Sequence, residues 1–295
     1  MIKKLLFILL FIPLFAIGQY NFFSSYPNCY LCYIHEYTQQ YNTGANYDVF
    51  FNSNGTYMYI LGGQVSTTVY QYSLSPAWNI RSAQYYSSYG VGNEETDPYG
   101  IFIKPDGTKL YVLGADSDNI YQYTLSTPWV ISTATYDSKY FYIGGSDNIP
   151  TALFFSSDGS KVFFLGQQNK TVYVLSLLTD WDISTANTEA EEYDFSSDEL
   201  YPHGLFFSSD GLTMYIEGIS QNKIFRYSLS TAWTLPDPWN EATVTPVDNF
   251  ALTGDQAQGM YFKPSWDKIY TVGGASVNVY YFNEPVYRFD DPDGL

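Results

Sequence analysis

This sequence is short of the residues from which most catalytic sites are built. It has two histidines and two cysteines in 295 residues, too few for the usual four-ligand zinc cages to recur. It holds no phosphate loop, no G-x-S-x-G elbow and no H-E-x-x-H pair, so it carries none of the stronger signatures of nucleotide or hydrolytic chemistry. Basic residues are scarce: 13 Lys and Arg stand against 30 Asp and Glu, a net charge of −17. A surface this acidic repels phosphate, which argues against nucleic-acid or anionic-membrane partners. After the first eighteen residues no stretch is apolar enough for a membrane-spanning helix.

Residues 1–18 read as a secretory leader. Lys3 and Lys4 give the basic start, Leu5 to Phe15 the apolar run, and Ala16-Ile17-Gly18 the small residues before cleavage. The expected mature chain begins at Gln19 and lies outside the cytoplasm: extracellular, at the cell surface, or periplasmic. A segment over 19–32 follows. Its Cys29 and Cys32 form a C-x-x-C with His35 three residues on. An oxidising compartment favours a disulfide, between these two or to another chain, over a metal site that lacks a fourth ligand.

What the chain does have is aromatic surface: 31 Tyr, 21 Phe and 6 Trp. Flat rings favour strands, and Tyr can sit half-buried with its hydroxyl in water. A chain of this size can build a substantial core without disulfides.

The dominant signal is internal repetition. The segment GIFIKPDGTKLYVLGADSDNIYQYTLSTPW from Gly100 returns from Ala152 and Gly204, with an earlier copy from Asp48 and a degraded one from Gly259. These anchors are 52, 52, 52 and 55 residues apart. Within a unit, a short apolar strand from Ile101 to Lys104 meets a turn at Asp106-Gly107, with counterparts Asn54-Gly55, Asp158-Gly159 and Asp210-Gly211. Such pairs tolerate the positive φ of a two-residue hairpin. A second strand follows over Lys109 to Leu113. A third, Asn119 to Leu125, alternates with period two. A fourth is expected near Ala134 to Tyr142. Four antiparallel strands per repeat, five times over, predict an all-β, five-bladed β-propeller.

The last copy stops after three strands and has no counterpart of the tryptophan that follows strand three elsewhere. The run Tyr33 to Gln40 has no partner of its own. The economical solution is that this N-terminal strand completes the last blade and removes an open edge. The propeller is thus expected over 33–283, with 284–295 a tail. The same arithmetic permits the strand to complete a neighbouring molecule's blade, which repeated head to tail makes a fibre.

The DGT-x-x-Y-V turn and strand, with the Y-x-Y-x-L-S-T-x-W run, resembles secreted bacterial propellers of the YVTN-repeat and lactonase-like kind. The resemblance covers residues 48 to 282 and implies the propeller fold. The units here are longer than the usual YVTN repeat. No string matches a catalytic motif of the lactonase-like enzymes, so no functional residue carries over.

Three groups of residues qualify as candidate sites. Trp78, Trp129, Trp181 and Trp233 fall 29 or 30 residues after their anchors. They are expected as structural packing between blades; the alternative is a sugar-stacking platform on each blade. Acids gather before the first strand of several blades: Glu94, Glu95 and Asp97; Asp147; Asp198 and Glu199; Asp255. If the protein is an enzyme on glycans or lactones, Asp97, Asp147, Glu199 and Asp255 are its acids; the alternative is solvated loops. Asp116, Asp118 and Asn119 form part of a calcium-loop pattern without its full spacing. The favoured function is a non-catalytic secreted scaffold or binding protein that takes a protein or glycan at the cell surface, or another copy of itself, without a required cofactor. A hydrolase and a calcium-dependent adhesin are the alternatives.

Overall fold

The computed structural model describes residues 32–41, 43–63, 65–187, 191–236, 246, 248–252 and 256–283. The expected leader, Cys29, Asp255 and the tail over 284–295 lie outside the described residues. Everything described belongs to one compact unit, which begins at Leu31.

The first strand, β1 (Cys32–Gln40), is followed by four complete sets. The first blade is β2 (Asn46–Phe51), β3 (Tyr57–Gly62), β4 (Thr68–Ser73) and β5 (Gln84–Gly90). The second is β6 (Pro98–Ile103), β7 (Lys109–Gly114), β8 (Asn119–Leu125) and β9 (Ala134–Tyr142). The third is β10 (Pro150–Phe155), β11 (Lys161–Gly166), β12 (Thr171–Ser176) and β13 (Glu191–Asp194). The fourth is β14 (Pro202–Phe207), β15 (Thr213–Gly218), β16 (Lys223–Ser228) and β17 (Asp248–Ala251). The last copy supplies β18 (Gly259–Phe262), β19 (Lys268–Gly273) and β20 (Ser276–Asn283). Its sheet runs β1-β20-β19-β18, so the N-terminal strand is the fourth strand of the fifth blade. It pairs antiparallel with β20, Tyr33 opposite Phe282 and Gln40 opposite Ser276. Thr38 Oγ1 donates to Asn278 Oδ1 at 2.5 Å.

The inner strands β2, β6, β10, β14 and β18 each touch the next, and β18 touches β2, so the ring is closed. The core is correspondingly divided into five clusters, each formed by facing sides of two neighbouring blades. Leu61, Val112, Phe163 and Ile216 are among the residues with no exposure. A single blade buries only one face, and the neighbour covers the other. Stability therefore resides in the interfaces as much as in the blades.

The turn between the first two strands differs from the two-residue hairpin expected. Gly107 has φ +74 while Asp106 is absent from the positive-φ residues. The Gly107 N–H donates to Lys104 O at 2.7 Å, and Asp106 Oδ1 accepts from Thr108 N at 2.9 Å. The aspartate thus acts by its side chain, capping the turn, and only the glycine uses the left-handed region.

The tryptophans pack between blades, and they do so over these turns. Trp129 N donates to Gly107 O at 2.9 Å, with the same bond from Trp78 to Gly55, Trp181 to Gly159 and Trp233 to Gly211. The indole lies flat on its glycine: a Cβ at Gly107 would stand 2.5 Å from the Trp129 ring. The tryptophan carbonyl receives the hydroxyl of a tyrosine in the preceding blade, Tyr59 to Trp129 at 2.7 Å and Tyr111 to Trp181 at 2.6 Å. Tyr270 to Trp78, at 2.7 Å, carries the device across the closure.

The last copy does have a counterpart, in a place that sequence alignment hides. Trp266 occupies the turn-glycine position itself, at φ +60. It packs on Phe206 and Tyr215 of the fourth blade and on Phe262 of its own. The slot between blades four and five is filled from the turn rather than from the far end of the repeat.

Candidate functional site

The propeller axis is where five equivalent positions meet, so departures from symmetry there are informative. Along each inner strand the residue two after the anchor points to the axis. These residues are Phe50, Phe102, Phe154, Phe206 and Tyr261. Their centroids form a closed circuit at 5.4, 5.3, 5.1, 5.6 and 5.2 Å, every contact edge-on, the geometry aromatic pairs prefer. This aromatic ring closes the axis on the side of the turns. Beyond it lies an open, apolar bowl of about 240 Å³, whose walls include Trp129, Trp233, Trp266, Pro105 and Pro264.

On the other side of the ring the axis turns polar. The anchor position holds Asp48 in the first blade and Gly100, Ala152, Gly204 and Gly259 elsewhere. Asp48 Oδ1 accepts from its neighbour Val49 N at 2.8 Å, and Oδ2 from Ile101 N in the next blade at 2.9 Å. It lies deep in the molecule yet keeps some surface on the axis. Burial pushes its carboxyl up to about 7, against the pull of those two N–H donors. One residue before the anchor, Tyr47 stacks on Tyr99 at 4.6 Å, and Tyr99 lies 6.2 Å from the ring of His203. His203 is buried and pairs with Gln167 Nε2 at 2.7 Å. Burial lowers it to about 4, so it is neutral at physiological pH.

Of the acids singled out in sequence, those among the described residues occupy the loops on this same side. Asp147 is 2% exposed and accepts main-chain N–H groups from Ile149 (2.8 Å), Gln168 (3.3 Å) and Asn169 (2.8 Å). Glu199, 1% exposed, accepts from Leu200 (3.0 Å), Tyr201 (2.9 Å), Ser220 (3.0 Å) and Gln221 (3.3 Å). The second blade places Glu95 here. Its Oε1 accepts from Asp97 N at 2.8 Å and Asp116 N at 3.3 Å. These carboxylates staple the loop entering a blade to the loop after its second strand, and Gly114, Gly166 and Gly218 leave the space they fill. A carboxylate holding several N–H donors is a strong structural tie. Asp97 is the residue stapled rather than the staple; burial first, and then its charge, raise the nearby hydroxyls of Tyr47 and Tyr99. Glu94 and Asp198 accept from the hydroxyls of Tyr123 (3.3 Å) and Tyr227 (2.9 Å).

Of the calcium-loop residues, Asp116 Oδ2 accepts from Thr96 Oγ1 at 2.7 Å, and Asn119 Nδ2 donates to Ser117 O at 3.0 Å. Asp118 sits at φ +53. Burial, then the charges of Glu95, Asp147 and Asp116, raise its carboxyl. Among the described residues no three His, Cys, Asp or Glu side chains gather closely enough to hold a metal by themselves.

Sequence reasoning missed two residues, Asp48 and Glu217. Glu217 is on β15, where the other blades carry Leu61, Leu113, Leu165 and Val272. It has no exposure at all, and burial followed by the charge of Asp48 holds its carboxyl well above the usual range. The signal was available in the repeat: one acid in a column of aliphatics, and one in a column of Gly and Ala.

Comparison with known proteins adds little. No family model matches the chain, and no curated protein matches it. Among solved structures, the β-propeller domain of Cps50 (Swd1) from Myceliophteria thermophila is similar over 85% of this chain and 100% of that one. Its sequence identity is 10% and its TM-score 0.46. At that score the likeness carries no argument; the class, a closed five-bladed propeller, stands on the sheets themselves.

Proposed function

We propose that the protein is a non-catalytic, exported scaffold of the secreted-propeller kind, which assembles with further copies of itself by exchange of β1. One observation carries this reading. The fifth blade is finished by a strand from the opposite end of the chain, held chiefly by a main-chain ladder to β20. Such a ladder is indifferent to which molecule supplies the strand. The leader pattern of residues 1–18 and the strongly acidic composition support an external site of action. The rival reading, hydrolysis of a glycan or lactone, has Asp147 and Glu199 engaged by main-chain donors. Single alanine variants at Asp97, Asp147, Glu199 and Asp255, screened for hydrolysis, decide between the two classes.

The test of assembly is native mass by light scattering across protein concentration. The mature chain is expected to give a ladder of sizes. A variant lacking residues 19–41 is expected to lose the ladder and to capture a labelled peptide of residues 31–41. A mature chain that stays monomeric at every concentration, or polymers that persist after the deletion, would end the proposal.

A further inference from the structure

Asp48 and Glu217 depart from the repeat in a correlated way. A leucine at 217 would complete the core as it does in three other blades, and a glycine or alanine at 48 would match the rest of the ring. Instead the chain carries two acids, and the glycines beside them provide their space. A Cβ on Gly204 would stand 2.7 Å from Glu217 Oε2 and 3.4 Å from Met260 Cγ. A Cβ on Gly259 would stand 2.7 Å from both Asp48 Oδ1 and the Tyr47 carbonyl oxygen. Gly204 and Gly259 hold the same position on adjacent inner strands, β14 and β18. The two carboxyls therefore flank β18, just on the polar side of the aromatic ring.

The oxygens here want partners. Neither Glu217 Oε1 nor Oε2 has a hydrogen-bond donor, and Gln258 Oε1, one residue before Gly259, is also buried without one. Buried acceptors left unpaired are costly, and an unpaired buried carboxylate more so. Two acids beside an unpaired amide oxygen suit a hard cation, which binds carboxylate, amide and main-chain carbonyl oxygens together.

We propose that the polar side of the axis, between Asp48 and Glu217, binds a single hard cation of the calcium class. Asp48 and Glu217 are its charged ligands, and Gln258 Oε1 and the Tyr47 carbonyl its neutral ones. The cation enters from the loop side, past the Tyr47–Tyr99 stack, because the five aromatic side chains obstruct the other end.

The experiment is thermal unfolding and titration calorimetry of the mature chain, stripped with a chelator and then given calcium, magnesium or potassium chloride. Calcium is expected to raise the midpoint in proportion to the logarithm of its concentration, and chelator to reverse it. Glu217→Leu and Asp48→Gly install residues that other blades already use, so both should fold. Each is expected to lose the calcium shift, with the midpoint of stripped Glu217→Leu at or above that of stripped wild type. A double variant, Asp116→Asn with Asp118→Asn, is expected to keep the shift. The proposal falls if none of the three cations binds the wild type, if Glu217→Leu and Asp48→Gly still respond, or if the loop variant is the one that loses the response.

Discussion

At the scale of single residues, the axis is governed by where charge is tolerated. Asp48 illustrates it with a measurable sign. Its carboxyl ionises near 3.8 in the unfolded chain and is raised to about 7 in the folded one, by burial first. Below pH 4 both states hold the proton and the native state has its full stability. Between pH 4 and 7 the unfolded chain is ionised while the native one is not. Stability attributable to this group is lost as pH rises through that window, by about 1.4 kcal/mol per pH unit. Above 7 the loss is constant. Carboxylates such as Asp158 and Asp210, lowered by hydrogen bonds to neighbouring hydroxyl and N–H donors, slope the other way. The difference between wild type and Asp48→Asn therefore isolates the effect. Urea unfolding from pH 4 to 8 in calcium-free buffer should show the wild type declining relative to the variant. Parallel curves would mean that Asp48 is ionised throughout. The sequence hid this residue, along with Glu217, because it holds 30 acids and a charge draws notice only once its column in the repeat is known to be apolar. It also pointed to Asp97 when Glu95 is the loop staple. The two stand two positions apart, on either side of Thr96, and only the chain's path decides which one turns inward.

At the scale of elements, the blade was legible and its turn was not. Period-two alternation, the Asp-Gly and Asn-Gly punctuation and the regular spacing located β8 and β9 to the residue. The spacing also supplied the reason for β1 to pair with β20: three strands at one end and one spare at the other. What spacing could not supply was how turn and tryptophan depend on each other. The φ of +77 at Gly159 and the indole of Trp181 lying against it make one clip. An alanine there faces two penalties, the left-handed conformation and overlap with a ring already stacked on Phe155 and Phe102. Together these amount to roughly 2–5 kcal/mol. Gly159→Ala is expected to lower the urea midpoint by that equivalent, while Gly145→Ala, at a glycine with nothing within 4 Å, should stay within about 0.5 kcal/mol of wild type. Trp266 shows the same slot filled from the turn-glycine position. An alignment reads that as a lost tryptophan and a lost glycine, whereas in space it is one conserved contact.

At the scale of the whole molecule, closure joins residues from opposite ends of the sequence. Thr38 meets Asn278, and Tyr270 reaches Trp78. Every other blade forms from a continuous stretch of chain, so its sheet pays only local loop entropy. The fifth must wait for both ends, and the cost of bringing ends together grows with the length between them. Relocating the termini separates closure from assembly. A permutant opened at Gly145, between β9 and β10, with β20 joined to β1 through a flexible linker, turns the fifth blade into a local hairpin. The same pairs form, Gln39 opposite Val277 among them, but β1 is now tethered next to its acceptor at high effective concentration. The permutant should unfold at an equal or higher urea concentration than the natural chain, and light scattering should show a monomer where the natural chain gives a ladder. If the permutant still polymerises, assembly uses some other surface and the spare strand serves closure alone.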